Sequence, residues 1–448
     1  MMRALSSRAV LVTLVLAPAA AADDWPQWLG PHRDAVWKET GIVEKFPEGG
    51  PKKLWSAPIG GGFAGPAVAG GKVYVFDRKP TEGGAKPASD FDVKTAAPGK
   101  ERLLCLDAKT GKELWKHEYD CPYQVSYGSG PRCTPTVAGG KVYTLGTMGD
   151  LHCLDAATGA VVWTKDFKAD YKSKTPLWGF SGHPLVYEGL VIVPVGGAST
   201  LLVAFDADTG KEVWTAGPGG FPGYSPAAVV EVNGAPQVVH FRPKAVAGFD
   251  PKTGKELWSV PLKPVAQDDM SIMTPRESGD VLFAAARGGI AVALKLGGGT
   301  PSELWKGDGK TTGLYPISVT PFIDGDTIYG VDQSGMLRAV DLKTGKRLWY
   351  TFEPVLEKEL EESFGGGGAG TAFLVKNGDR FFIFNEQGSL IIARLTPEGY
   401  KEIDKAKLID QTAATFGRKY VWSHPAFAEK CIFVRNDKEI ACFSLAKE

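Results

Sequence analysis

Two histidines in this chain stand directly before a proline, in the pairs His183-Pro184 and His424-Pro425. Four other segments carry a hydroxyl residue in the equivalent place before a proline: Thr134, Ser225, Thr274 and Thr320. Aromatic residues and one arginine come shortly before these pairs: Tyr127, Arg132, Trp178, Phe180, Tyr224, Tyr315 and Trp422. Imidazole and guanidinium groups hold anions and aromatic rings stack on flat molecules, so this set of residue types fits a flat or anionic ligand.

The candidate binding residues are therefore Arg132, Trp178, His183, Tyr224, Tyr315, Trp422 and His424. An unperturbed histidine titrates near pH 6.5, so we expect such a site to bind an anion better at about pH 5.5 than at about pH 8. The alternative is that each proline only sets the entry into a strand and that the polar residues are simply solvated.

Motifs for covalent or cofactor chemistry are weak. The runs Gly60–Gly65 and Gly365–Gly370 have the spacing of a dinucleotide-binding loop, but neither lies between a strand and a helix as that chemistry requires. The sequence has no Cys-x-x-Cys-His for haem attachment and no paired Cys-x-x-Cys for zinc. We therefore expect no catalytic residue, no metal ligand and no cofactor.

A repeated phrase shows how the candidate residues are positioned. It reads Asp107-Ala-Lys-Thr-Gly111-Lys-Glu-Leu-Trp115, and it returns with the same Asp-to-Trp spacing at Asp155, Asp206, Asp250 and Asp341. The tryptophans at 115, 163, 214, 258, 305 and 349 are 48, 51, 44, 47 and 44 residues apart. Aspartate starts a turn and glycine supplies the positive φ that closes a hairpin loop. A period of this length with strand-like sequence inside it indicates a β-propeller.

Each repeat contains four short β-rich runs and three tight turns, which corresponds to one four-stranded antiparallel blade. Counting these repeats along the sequence predicts eight blades in an all-β fold. The last unit lacks its tryptophan, while Leu54-Trp55 is an outer-strand phrase with no blade before it. The N-terminal strand is therefore predicted to complete the C-terminal blade and close the ring.

Two sets of side chains follow from this architecture. The outer strands carry the docking tryptophans, which are predicted to pack against the neighbouring blade: Trp55, Trp115, Trp163, Trp214, Trp258, Trp305 and Trp349. The innermost strands begin at the polar-Pro pairs, so the candidate binding residues converge at one mouth of the central channel.

The repeated phrase resembles the tryptophan-docking repeat of the quinoprotein alcohol dehydrogenase-like superfamily, which also contains non-enzymatic, BamB-like propellers. The segments Asp24–Pro31 and Gly50–Trp55 are similar to the start of secreted bacterial proteins with PQQ-like repeats. The dehydrogenases carry adjacent cysteines above their quinone, and no two cysteines are adjacent here. The resemblance thus implies a non-catalytic propeller that acts as a binding or protein-interaction scaffold. The alternative is a PQQ-dependent dehydrogenase that uses calcium and acts on alcohols or sugars.

The first 22 residues are typical of a secretory signal peptide, with Arg3 and Arg8 before a short apolar stretch and a run of alanines. This predicts a periplasmic or secreted protein with residues 23–448 as a single PQQ-like propeller domain. Loss of the two arginines moves the formal charge from 0 to −2. A nearly neutral protein argues against a nucleic-acid partner. The expected partner is a protein, peptide or saccharide, and the expected protein is a monomer with no membrane span.

Three local expectations complete the sequence analysis. Cys431 and Cys442 should face each other across a hairpin, and Cys121 and Cys133 flank the crossing between blades 1 and 2. The sequence leaves open whether these pairs form disulfides or remain buried thiols. Cys105 and Cys153 hold the same place in successive blades and should be too far apart to bond. The stretch 78–101 should be an exposed insertion, and 354–364 a short helix between blades 6 and 7.

Overall fold

Eight four-stranded antiparallel sheets follow one another along the chain, in a computed structural model that describes residues 23–263, 270–357, 370–415 and 417–447. The expected signal peptide, residues 1–22, lies outside the described residues. The fold is all-β, and the described residues contain two short helices, α1 (Phe167–Tyr171) and α2 (Glu353–Leu356). Neither of these helices, within the described part of the chain, is long enough to cross a membrane.

The strands in the first half of the chain are β1 (Lys53–Pro58), β2 (Ala67–Ala69), β3 (Lys72–Pro80), β4 (Gly99–Asp107), β5 (Glu113–Asp120), β6 (Thr136–Ala138), β7 (Lys141–Leu145), β8 (Asp150–Asp155), β9 (Val161–Asp166), β10 (Leu185–Tyr187), β11 (Leu190–Pro194), β12 (Leu202–Asp206), β13 (Glu212–Ala216), β14 (Ala228–Val232), β15 (Ala235–Arg242), β16 (Ala245–Phe249) and β17 (Glu256–Pro261). Strands β2–β5, β6–β9, β10–β13 and β14–β17 form blades 1 to 4.

The second half contains β18 (Arg276–Ser278), β19 (Val281–Ala286), β20 (Ile290–Lys295), β21 (Ser302–Lys306), β22 (Phe322–Asp324), β23 (Thr327–Val331), β24 (Leu337–Asp341), β25 (Arg347–Thr351), β26 (Ala372–Asn377), β27 (Arg380–Asn385), β28 (Ser389–Thr396), β29 (Gly399–Lys407), β30 (Ala413–Thr415), β31 (Arg418–Tyr420), β32 (Ala426–Ala428), β33 (Cys431–Arg435) and β34 (Glu439–Ser444). Blades 5 to 7 are β18–β21, β22–β25 and β26–β29, and β30–β31 is a separate hairpin.

Blade 8 joins the two ends of the chain. Its order is β32-β33-β34-β1, and β1 pairs antiparallel with β34 through Trp55 opposite Cys442 and Ser56 opposite Ala441. The predicted eight-bladed propeller, closed by the N-terminal strand, is confirmed. The pairing covers the edge of β34, which would be unpaired without the N-terminal strand.

The repeated phrase forms the turn that the sequence predicts. Asp107 Oδ1 accepts hydrogen bonds from the Thr110 N–H at 2.8 Å and from the Thr110 hydroxyl at 2.7 Å. Gly111 follows with a φ of +70°, which a residue with a side chain rarely adopts. The same aspartate-to-threonine bonds recur at Asp155, Asp206, Asp250 and Asp341.

Tryptophans of the outer strands lie on the turn glycine of the next blade. In each of five such contacts, a Cβ added to the glycine would lie within 2.6 Å of the indole. These contacts are Trp55 on Gly111, Trp115 on Gly159, Trp163 on Gly210, Trp214 on Gly254 and Trp305 on Gly345. The glycine is thus required by the close approach of the ring as well as by its φ. Four of these indoles also donate to a backbone carbonyl of the next blade: those of Trp55, Trp163, Trp214 and Trp305.

Trp258 and Trp349 depart from this rule. Blade 5 follows Trp258 and has Gly297-Gly298-Gly299 in place of the Asp–Gly turn, so the Trp258 indole lies on Gly248 of its own blade. Its N–H donates to Gln237 Oε1 at 2.7 Å. Trp349 is half-buried and donates to the Thr396 carbonyl of blade 7 at 2.8 Å.

The cysteines and the insertion differ in part from expectation. All six cysteines are buried free thiols, and Cys431 lies opposite Ser444 rather than Cys442, because the register of β33 and β34 is offset by two residues. The stretch 78–101 is exposed only in its middle. Its ends extend β3 and β4, so Arg78 and Glu101 are buried. The expected helix at 354–364 begins at Glu353 as α2, and its residues from 358 onward lie outside the described residues.

Candidate functional site: the channel cavity

The residues before β1 cross one face of the propeller. On this face, turns join the first and second strands of each blade. Here residues 24–42 are called the floor segment. The Trp25 N–H donates to the Val68 carbonyl of blade 1 at 2.8 Å, and the Val137 N–H of blade 2 donates to the Pro26 carbonyl at 2.8 Å. Farther along, the Trp37 N–H donates to the Lys376 carbonyl of blade 7 at 2.8 Å. The segment therefore spans the ring and closes one end of the channel.

Arginines secure the middle of the floor segment. Arg33 donates to the Pro184 carbonyl of blade 3 at 3.1 Å. Arg276 of blade 5 donates to the carbonyls of Arg33 and Asp34 at 2.6 and 2.9 Å. Both guanidinium groups are held in the interior by these bonds, and burial lowers the pKa of Arg33 to about 10.

Trp28 is the centre of the floor. Its indole lies parallel to the imidazole of His183, with ring centroids 4.2 Å apart and an angle of 11° between the planes. The ring of His424 lies 4.9 Å from the same indole, tilted by 58°. The Trp28 N–H donates to Thr274 Oγ1 at 3.0 Å. The two predicted histidines are thus brought together, but by a tryptophan that the repeat pattern does not include.

The backbone fixes the proton position on each imidazole. The Thr134 N–H donates to Nδ1 of His183 at 2.9 Å, so the ring proton of the neutral form is on Nε2. Nδ1 of His424 lies 2.6 Å from the Pro425 carbonyl, which only accepts, so the proton of His424 is on Nδ1. In the described part of the chain neither Nε2 atom has a partner, and neither is fully buried. The floor therefore presents one N–H donor and one nitrogen acceptor.

Burial keeps both histidines neutral. It lowers the pKa of His424 to about 4, and together with Arg33 it holds the pKa of His183 well below its usual value. Burial thus works against the expected stronger binding of an anion at about pH 5.5, because desolvation disfavours the charged imidazole.

Above the floor lies a cavity of about 1060 Å³, lined from all eight blades. Its aromatic wall consists of Phe63, Phe91, Tyr127, Trp178, Tyr224, Phe373 and Trp422. Hydroxyl side chains border it as well: Ser181, Ser318, Thr320, Ser334 and Thr371. The described lining residues include Arg132, Arg287 and Arg418 but no aspartate or glutamate.

Two predicted site residues have other roles. Arg132 lines the cavity, but its guanidinium donates to four backbone carbonyls, those of Ser126, Tyr127, Gly130 and Trp178. It therefore fixes the loops between blades rather than offering its charge to a ligand. Tyr315 does not reach the cavity: it is buried, and its hydroxyl donates to the Thr312 carbonyl at 2.5 Å and accepts the Gly309 N–H at 2.6 Å.

Trp422 is held at the rim by a buried acid. Its indole N–H donates to Glu386 Oε2 at 3.0 Å, and Arg418 forms an ion pair with the same carboxylate. Burial raises the pKa of Glu386. The ring of Tyr420 stacks on Trp422 with centroids 3.7 Å apart. These contacts fix the plane of the Trp422 ring.

The insertion in blade 1 contributes the adjoining part of the rim, where Tyr127 lies 6.2 Å from Trp422, ring centre to ring centre. Phe91 is half exposed and lies 5.7 Å from Tyr127, ring centre to ring centre. Asp90 accepts a hydrogen bond from Thr415 Oγ1 in the β30–β31 hairpin at 2.5 Å. The insertion and the hairpin therefore meet beside the cavity mouth.

The described residues contain no group of three or more His, Cys, Asp or Glu side chains placed to hold a metal ion. The cavity has neutral hydrogen-bonding groups at its floor and aromatic rings on its wall. This arrangement is suited to binding, and the geometry defines a repeat propeller with a blind central pocket.

Comparison with known proteins places the chain in a family. Residues 99–351, more than half of the chain, match the family model described as outer membrane protein assembly factor BamB, and the chain belongs to this family. The predicted resemblance to PQQ-like repeat proteins is thereby confirmed.

Two curated relatives match shorter stretches. The outer membrane protein assembly factor BamB of Shewanella oneidensis is 27% identical over 169 residues, which are 35% of this chain and 40% of that protein. Quinohemoprotein alcohol dehydrogenase ADH-IIG of Pseudomonas putida is 34% identical over 122 residues, 25% of this chain and 16% of that protein. The matches thus span less than half the length of either relative.

Solved structures share the fold. BamB from Moraxella catarrhalis superposes with a TM-score of 0.52 at 14% identity, covering 88% of this chain and 99% of that chain. Quinohemoprotein alcohol dehydrogenase from Comamonas testosteroni gives a TM-score of 0.59 at 14% identity, covering 95% and 81%. At these identities the likeness concerns the fold.

Proposed function

We propose that this chain is a non-catalytic binding propeller of the cell envelope, and that it holds its ligand in the channel cavity. The observation that carries the proposal is the blind cavity itself, closed by Trp28 and walled by aromatic side chains from several blades. A concave, mostly apolar pocket with a few placed polar groups is the usual form of a ligand site.

Family membership supports a scaffold role. A relative in this family is named an assembly factor, and we infer that this chain likewise binds another molecule rather than transforming one. The ligand classes that fit are a protein segment, a peptide or a saccharide. The balanced charge of the chain gives a polyanion such as nucleic acid no general attraction. We propose that the protein acts as a monomer, in the periplasm or secreted, with residues 1–22 as its leader and 23–448 as one domain.

The second candidate is a PQQ-dependent dehydrogenase, favoured by the match to the quinohemoprotein enzyme. PQQ carries three carboxylates, and its calcium ion needs oxygen ligands from the protein. The described residues that line the cavity supply no carboxylate for the calcium ion. Of the lining arginines, Arg132 donates to backbone carbonyls, Arg418 pairs with Glu386 and Arg287 contacts the Met270 sulfur at 3.8 Å. These residues do not fit the pair of cofactors, so we rank this candidate second and propose that no cofactor is used.

The binding proposal is tested by photo-crosslinking in the native host. A benzophenone amino acid replaces Leu177, which is exposed and lines the cavity, or Leu348, which is exposed to a similar extent on the outer strand of blade 6. We expect an adduct from position 177 and a much weaker one from position 348. Equal adducts from both positions, or none from position 177, would contradict the proposal.

The enzyme candidate has its own test. The purified protein is incubated with PQQ and calcium, its visible spectrum is recorded, and dye reduction is measured with simple alcohols and sugars. We expect no calcium-dependent dye reduction. Saturable PQQ binding with turnover would replace the binding propeller by the dehydrogenase.

A further inference from the structure

We propose that the cavity floor binds a neutral, hydroxyl-rich ligand of the chemical class of an oligosaccharide, through Trp28, His183, His424 and Thr371. This inference rests on the proposed function, because it names the ligand of the same cavity. It goes further by assigning the atoms that recognise the ligand and the charge that the ligand carries.

The hydrogen-bonding pattern of the floor matches a sugar hydroxyl. His183 offers an Nε2–H donor and His424 offers an Nε2 acceptor, and both rings contact the Trp28 indole. The Thr371 side chain lines the same cavity, and its hydroxyl can donate and accept. A hydroxyl group both donates and accepts, so neighbouring hydroxyls on one ring satisfy a donor and an acceptor together.

The floor selects against charge. The arginines near this cavity are engaged with protein groups. Arg132 donates to backbone carbonyls, Arg418 pairs with Glu386, and Arg287 contacts the Met270 sulfur at 3.8 Å, while Arg33 lies outside the cavity lining. An ammonium group would find no carboxylate among the described lining residues. Burying an unpaired charge is far more costly than burying a hydrogen-bonded hydroxyl. This argues for a neutral saccharide over the charged end of a peptide.

The wall supplies the apolar half of the recognition. A sugar ring has a C–H face that packs on the negative face of an aromatic ring. Trp28 presents its indole at the floor, and Trp178, Tyr224 and Trp422 stand above it. The cavity volume of about 1060 Å³ lies just above the range for pockets that hold a drug-sized ligand, about 300–1,000 Å³. This is room for several sugar units rather than one.

Calorimetry with the full chain tests the proposal. The probes are the neutral hexasaccharides of β-1,4-glucan, α-1,4-glucan, β-1,3-glucan, β-1,4-xylan and β-1,4-mannan, with hexagalacturonate as the acidic counterpart. We expect saturable binding of at least one neutral probe, with a Kd that differs less than about twofold between pH 5.5 and pH 8, because the facing groups His183, His424 and Arg33 do not change charge there. Hexagalacturonate should bind at least about tenfold more weakly.

Variants separate recognition from folding. His183→Phe/His424→Phe keeps ring contacts with Trp28 and removes the donor and acceptor, so the Kd should rise at least about tenfold. Thr371→Val is a nearly isosteric second variant that should weaken binding about threefold to tenfold if the double variant does not fold. Tyr315→Phe is the matched control, because Tyr315 lies outside the cavity, and it should bind as the parent does.

Three results would overturn the proposal. They are binding of hexagalacturonate in preference to every neutral probe, binding that strengthens at pH 5.5, and no binding of any neutral probe. In those cases a crosslinked adduct from position 177 would still support the binding propeller with another ligand, such as a peptide. Loss of that adduct would instead contradict the proposed function itself.

Discussion

The indole of Trp28 and the imidazole of His183 stack in parallel, 4.2 Å between centroids, although they come from the floor segment and from the start of blade 3. The contact joins an irregular segment to a repeated structural position. It explains why His183 is buried and neutral, and it makes Trp28 both a structural and a binding residue.

Replacing Trp28 by alanine should remove the floor of the cavity. The indole is almost fully buried, and Thr274 Oγ1 would lose its donor. We expect a loss of about 3–5 kcal/mol in the free energy of unfolding, as for other large aromatic truncations. Urea denaturation measures it, with Trp178→Ala at the half-buried wall as the control that should lose clearly less. Equal losses would show that Trp28 is not a closing residue.

The docking contact can be probed through its glycine. A Cβ at Gly159 would lie 2.4 Å from the Trp115 ring, whereas a Cβ at Gly139 of the same blade would meet nothing within 4 Å. Both glycines have positive φ, so both alanine variants carry the strain of that conformation, about 1–2 kcal/mol. Gly159→Ala should lose a further 1–3 kcal/mol or so from the steric overlap. Thermal melts of the two variants give the comparison. Identical melting midpoints would refute the close approach of the Trp115 ring to Gly159.

Trp163→Ala should destabilise the protein by about 3–5 kcal/mol. Its ring packs on Gly210, and its N–H donates to the Ala207 carbonyl at 3.2 Å. Val162 precedes it and is exposed, so Val162→Ala should change the unfolding free energy by less than about 0.5 kcal/mol. Guanidinium titration of both variants gives the comparison. A small loss at Trp163 would mean that the outer strand does not depend on docking.

Two deletions distinguish the floor from the ring closure. Removal of residues 23–51 takes away the floor segment and keeps β1, while removal of residues 23–60 takes away β1 as well. The longer deletion should be far more damaging, because it exposes the edge of β34. Soluble yield and melting temperature measure this. If the two truncated proteins behave alike, β1 is not the closing strand.

Acid should destabilise the floor through His424. Its pKa of about 4 in the folded protein lies below the unfolded value of about 6.5. The unfolded chain therefore binds more protons between these pH values, and folded-state stability falls as the pH drops through that window. Asp150, whose pKa burial raises to about 6, acts in the opposite direction, but it is present in parent and variant alike. His424→Phe should thus lose less stability than the parent between pH 7 and pH 4 in urea titrations. Parallel pH profiles would contradict a buried neutral His424.

The fold was predictable because its determinants are local and repeated. Each turn carries its own Asp, Thr and Gly, and each outer strand carries its tryptophan, so Asp107 through Trp115 already specify a hairpin. Ring closure followed from Leu54-Trp55, which repeats the outer-strand phrase without a blade before it.

The site was predictable only in part. The polar-Pro positions locate the channel, and His183, His424 and Trp422 all line the cavity. The two histidines lie at its floor beside Trp28 rather than at its mouth. The directions of side chains are set by tertiary contacts, so the sequence could not show that Arg132 donates to backbone carbonyls or that Tyr315 lies outside the cavity lining. The floor segment has no repeat, and its contacts are with residues far along the chain, such as Thr274, Lys376 and His424. The one available signal was the cluster of Trp25, Trp28 and Trp37 outside the repeats.

The pairing of β1 with β34 imposes an order on biosynthesis. Blades 1 to 7 contain only contiguous strands and can form as the chain emerges, but Lys53–Pro58 must wait until Glu439–Ser444 has been made. Contacts between such distant segments form slowly, because a very long loop has to close first. During that interval the strand and the apolar floor segment stay uncovered and prone to aggregation. We therefore expect a slow final folding phase that belongs to blade 8, with a need for protection in the cell until the last residues arrive.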